Sequence, residues 1–97
     1  MMKRQGDILI IRINSMPQDA IKQANRILAE GEATGHMHEL DQGEVYEKNG
    51  TLYFKVEENS EIILKHPEHK PVTFETGVYK VVRQREYEPQ GWKYVAD

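Results

Sequence analysis

The chain has 97 residues, with 13 Lys or Arg against 16 Asp or Glu, 4 His, no Cys and a formal net charge of -3. This length predicts one domain, residues 1–97, burying only roughly 60–65% of its unfolded surface, and the acidic balance argues against a nucleic-acid partner, which would require a basic face. The lack of cysteine excludes disulfides and thiolate metal sites and leaves imidazole and carboxylate as ligands. No apolar run approaches the roughly 18–20 residues of a membrane helix, and the short, Arg-interrupted apolar stretch near the start is no signal peptide. The sequence thus predicts a cytoplasmic protein without a membrane contact. With only 38% hydrophobic residues, it also predicts that a metal, a homo-oligomer contact or a protein partner supplements the thin core.

In chain order, residues 7–13 (Asp-Ile-Leu-Ile-Ile-Arg-Ile) are β-branched, bounded by Gly6 and Asn14-Ser15, and read as a strand. Ile8 and Ile10 point one way and Leu9, Ile11 and Ile13 the other, so the strand is central, covered on both faces, or part of a subunit contact. Ser15-Met-Pro-Gln18 has the form of a capping box, with Ser15 as N-cap, and predicts a short helix to about Ala24. Residues 26–29 return to strand. In residues 44–56, Asn49-Gly50 between two β-rich runs predicts a hairpin with a type I′ turn. Residues 62–64 form another strand, and residues 78–87 a longer one after the Glu75-Thr-Gly77 turn. Short strands with Gly, Asn and Pro turns indicate a mostly β fold, a small sandwich or barrel with at most one short helix.

All four histidines fall in two tight pairs, His36 with His38 and His66 with His69. On an extended segment His36 and His38 share a face, roughly 6.6 Å apart along the strand. Pro67 pushes His66 out of the helical region and fits position i+1 of a β-turn, so His66 and His69 become its corners. Two such pairs facing each other make a three- or four-histidine metal site, and zinc, iron, manganese and nickel all fit that donor set. Glu68, held by the turn beside both of its histidines, is the first candidate for a further ligand, orienting group or general base, and Glu44 the second. Histidine pairs also occur on solvated loops, so a purely structural role, or acid-base chemistry without metal, stands beside the metal reading.

Known histidine motifs narrow the choice. A third alternating histidine of the HIT type is replaced by Leu40, and the Asp and His of a metallo-β-lactamase run would fall at Leu40 and Asp41. The cupin pattern is nearer, with an HxH followed by Glu44 and Gly50, but its second motif is absent; what it shares with this chain is the placement of histidines on β-strands around one metal. Arg4-Gln-Gly-Asp7, Gly31-Glu-Ala-Thr-Gly-His-Met-His38, His66-Pro-Glu-His69 and Val82-Arg-Gln-Arg-Glu-Tyr87 together resemble a group of short, uncharacterised bacterial and phage-encoded proteins. That resemblance implies that the two histidine motifs form one feature, and it implies no activity.

A second candidate surface lies near the end of the sequence. Arg83 and Arg85 share a strand face with Tyr79, Val81 and Tyr87, and Trp92 follows; such a face can grip a protein partner or stack bases, although core packing and ordinary ion pairs explain it as well. No Gly-rich phosphate loop or nucleophile elbow is present. The sequence therefore predicts a metal-binding module in which a closed site staples the fold. Its alternatives are a small cupin-like metal-dependent enzyme with an open coordination position, and a metal-free interaction module.

Overall fold

The computed structural model describes residues 1–30 and 35–83. Ten strands run in order: β1 (Met2–Gln5), β2 (Ile8–Ile13), β3 (Ile21–Lys22), β4 (Ile27–Glu30), β5 (Met37–Leu40), β6 (Val45–Lys48), β7 (Thr51–Val56), β8 (Ile62–Lys65), β9 (Val72–Phe74) and β10 (Gly77–Arg83). They form two antiparallel sheets, ordered β1-β2-β10-β7-β6-β3 and β4-β5-β8-β9. The mostly β expectation is met.

One apolar core joins the sheets. The six-stranded sheet contributes Ile8, Ile10, Val45, Phe54, Val56, Tyr79 and Val81, and the four-stranded sheet Leu28, Ala29, Leu40, Ile62, Leu64 and Phe74. At its centre Phe54, Phe74 and Tyr79 pack with ring centroids 5.1–5.4 Å apart. The fully buried Tyr79 keeps its hydroxyl satisfied by donating to the Glu75 carbonyl at 2.7 Å. β2 lies between β1 and β10, and both of its faces are used. Ile8 and Ile10 enter the main core, whereas Leu9 is buried opposite Val82, outside that cluster.

The Asn49-Gly50 hairpin forms as expected, with both residues at positive φ (51° and 82°) between β6 and β7. Residues 15–24 differ from expectation, since no helix occurs among the described residues. Pro17 accepts one turn bond from the Ala20 N–H, and the chain then adds Ile21–Lys22 to the edge of β6. Ile21 stays 67% exposed. A helix over this stretch would have had only the thin stripe of Met16, Ala20, Ile21 and Ala24 to bury, and a capping signal with so little apolar area does not repay nucleation. Two strands escaped the sequence reading. β1 pairs with β2 through a two-residue Gly6-Asp7 loop, with Gly6 at φ 60°, and β9 pairs with β8 beyond the histidine turn. β1 also approaches β9, where Lys3 Nζ donates to the Thr73 carbonyl, so the two sheets are joined along this seam. No helix among the described residues is long and apolar enough to cross a membrane.

Candidate functional site

All four histidines meet at one end of this seam. β5 alternates exposed Met37 and Glu39 with buried His38 and Leu40, so the strand period that seats Leu40 in the core also turns His38 inward. His36 precedes the strand on the same side. Opposite, β8 ends at Lys65 and the connection to β9 carries His66 and His69, whose ring centroids lie 4.5 Å apart. His38 is 4.3 Å from His66 and 5.9 Å from His69, and His36 is 5.9 Å from His66. The two sequence pairs thus form one cluster.

The third side of the cluster comes from the β1–β2 hairpin. Gln5 is 2% exposed, and its Nε2 donates to the carbonyls of Leu64 (2.9 Å) and Lys70 (2.8 Å). Those two bonds fix the amide orientation, so Oε1 is the atom that faces His38 Nδ1 at 2.9 Å. An amide oxygen accepts only, hence Nδ1 carries the proton and Nε2 of the neutral ring keeps its lone pair. On that side Asp7 Oδ1 stands 3.7 Å from Nε2, while Asp7 Oδ2 lies 3.9 Å from Arg83 Nη2. Burial, followed by the repulsion of a charged His66, pushes the His38 imidazole down to about 4 although Asp7 pulls the other way. His66 is also held below its usual value, by burial first and then by His69 and His36.

Gly6 makes this approach sterically feasible. A Cβ there would stand 2.8 Å from His69 Nε2 and 3.1 Å from His38 Cε1, and its φ of +60° is one that glycine adopts freely. Glu68 meets His66 of its own turn and His36, and these two contacts do not involve His69. Its N–H donates to His66 Nδ1 at 3.0 Å and its carboxylate is 3.2 Å from His36 Nδ1. Glu44 does not join the cluster; it pairs with Lys22 at 2.8 Å and accepts from the Tyr46 hydroxyl at 2.9 Å. Among the described residues, no three His, Asp or Glu side chains present their donor atoms as a ready-made coordination group. The His66 bond to Glu68 is one physical reason, because it commits Nδ1 as acceptor and leaves the proton on Nε2.

On β10 the candidate face is described only as far as Arg83. Tyr79 and Val81 are core residues, and Arg83, next in the same alternation, emerges at the sheet end beside Asp7, with a 3.5 Å contact to the Glu30 carbonyl. Arg85, Tyr87 and Trp92 lie outside the described residues. Of the groups at the cluster, Gln5, Gly6, Asp7 and Arg83 had not been assigned to it from sequence. The available signal was the Gly6-Asp7 pair, a hairpin loop between residues 2–5 and 8–13. A groove of about 570 Å³ borders the outer side of the cluster, lined by His36, His66, Met37, Leu40, Pro67 and Arg26 among others.

Fold and site together define a small two-sheet β domain with a histidine cluster at the seam between its sheets. The chain belongs to the family described as Domain of unknown function (DUF8820), whose model matches residues 4–84. That match covers both sheets except Met2 and Lys3 of β1, and includes all four histidines and the Gln5–Asp7 turn. No curated protein and no solved structure matches the chain.

Proposed function

We propose that this domain binds one divalent transition metal through His36, His38, His66 and His69, and that the ion staples the start of β5 to the β8–β9 connection. The observation that carries the reading is that Gln5, itself locked by two backbone carbonyls, holds the buried His38 with Nδ1 protonated and Nε2 available. Such an outer partner is what sets the tautomer of a metal-binding histidine. Ring spacing supports it as well. An ion bound at ~2.1 Å lies ~3.2 Å from each ring centroid, so two imidazoles on a tetrahedral ion have centroids ~5.2 Å apart. Four ring separations, His36–His66, His38–His66, His38–His69 and His66–His69, run from 4.3 to 5.9 Å around that value. His66 enters the set by turning its ring away from the Glu68 N–H, and Glu68 then orients His36. Zinc, iron, manganese and nickel all suit the donors.

Hydrogen exchange on metal-loaded and chelated protein tests the staple. Chelation should accelerate exchange at residues 5–8 and 64–70 and leave the 45–56 hairpin unchanged. A protein that binds one ion yet exchanges identically in both states would discard the staple. It would favour a second reading, a small metal-dependent enzyme, which the groove beside the outward-lying His36 and His66 supports.

A further inference from the structure

Asp7 approaches His38 on the side that Gln5 leaves open. Gln5 Oε1 accepts from His38 Nδ1–H, so Nε2 is the ring nitrogen turned towards Asp7, whose Oδ1 stands 3.7 Å from it. The separation exceeds the ~3.2 Å limit of a hydrogen bond. Arg83 does not bridge the two, since its Nη2 is 3.9 Å from the other carboxylate oxygen, Oδ2. The spacing instead suits two ligands of one five-coordinate ion, four histidines and Asp7, because equatorial donors at ~2.1 Å from its centre stand ~3.6 Å apart.

We infer that Asp7 is a metal ligand, supplying through Oδ1 the one carboxylate of a mixed imidazole and carboxylate site, with Arg83 steadying the other oxygen. The inference rests on the metal reading above and adds to it. Asp7 lies in the β1–β2 turn of the six-stranded sheet, whereas His38 is on β5 of the four-stranded sheet and His66 and His69 lie between its β8 and β9. Ligation by Asp7 therefore makes the ion a direct cross-link between the sheets. It also brings a negative charge to a dication otherwise held by neutral rings, which suits a borderline first-row ion such as Zn²⁺ or Co²⁺.

Co²⁺ titration of chelated wild type and Asp7→Asn, read by visible absorption and by Zn²⁺ competition with circular dichroism as the fold check, tests this. One ion in the wild type, with at least tenfold weaker binding and an altered absorption band in the variant, is the expected result. Equal affinity and an equal band would overturn Asp7 as a ligand while leaving the histidine site intact. Weaker binding with an unchanged band would also overturn it, making Asp7 an orienting group. A wild type that binds no ion removes the metal reading and this one together. Should the variant fail to fold, a structure of the zinc-loaded wild type decides: Oδ1 within about 2.2 Å of the ion upholds the inference, and Oδ1 beyond hydrogen-bond range overturns it.

Discussion

Two groups of aromatic rings cluster in this molecule, one in the core between the sheets and one at their seam, and they pack by opposite physics. Phe54, Phe74 and Tyr79 pack at centroid distances of 5.1–5.4 Å in the apolar core; the histidines pack at 4.3–5.9 Å at the seam. In the first group the stabilisation is burial and dispersion, which are non-directional and insensitive to protons. In the second every nitrogen has a partner or proton to account for, and the packing holds only while the proton positions are right. Close ring packing alone therefore does not show whether a cluster is a core or a site. The fixed amide of Gln5 and the approach of Asp7 to His38 Nε2 are what support reading the second as a site.

The comparison is broken most strongly by Phe74→Ala, which empties a fully buried ring. It should cost about 3–5 kcal/mol by urea denaturation, by the same amount with or without metal. A metal-dependent cost would mean that the two regions are one energetic unit.

Acid should act on the seam. His38 is held down to about 4 when folded, against 6.5 for the free side chain, so between these values the unfolded chain takes up a proton that the folded one refuses. Stability of metal-free protein therefore falls as pH drops through that window, by up to about 3 kcal/mol. Urea midpoints at pH 7, 6 and 5 for wild type and His38→Gln measure this, and an equal slope in the two proteins would contradict it.

Gln5→Leu orphans two carbonyls and the His38 N–H and should cost about 1–3 kcal/mol. It should also weaken metal binding, which Phe74→Ala does not. The smallest effects separate two glycines at positive φ. Gly50→Ala meets nothing within 4 Å, so it should cost only about 1 kcal/mol of backbone strain and leave metal affinity intact. Gly6→Ala carries similar strain and also presses on His69 and His38. Competition titration should show lowered metal affinity for Gly6→Ala alone.

Much of this was legible in the sequence where a residue's signal is local. The Asn49-Gly50 turn, the two-faced strand at 8–13, and the spacing that brings His36 with His38 and His66 with His69 are each set within a few residues. The convergence of the two pairs follows from β5 pairing with β8. What stayed hidden depends on partners far away in the chain. β1 reads Met-Lys-Arg-Gln, with no apolar alternation, and becomes a strand because β2 offers an edge. Gln5 looks like any surface glutamine until the carbonyls 59 and 65 residues later are placed around it. The capping signal at Ser15 misled because it specifies a helix start without an apolar face to keep the helix. Glu44 was near the first histidine pair in sequence, yet the turn after β5 carries it to Lys22.

Elemental analysis of untagged protein purified without added metal, beside a His36→Ala/His38→Ala variant, decides whether the seam histidines bind a metal ion. Close to one equivalent of a transition metal is expected in the parent and none in the variant. No metal in either, or equal metal in both, would refute the metal site.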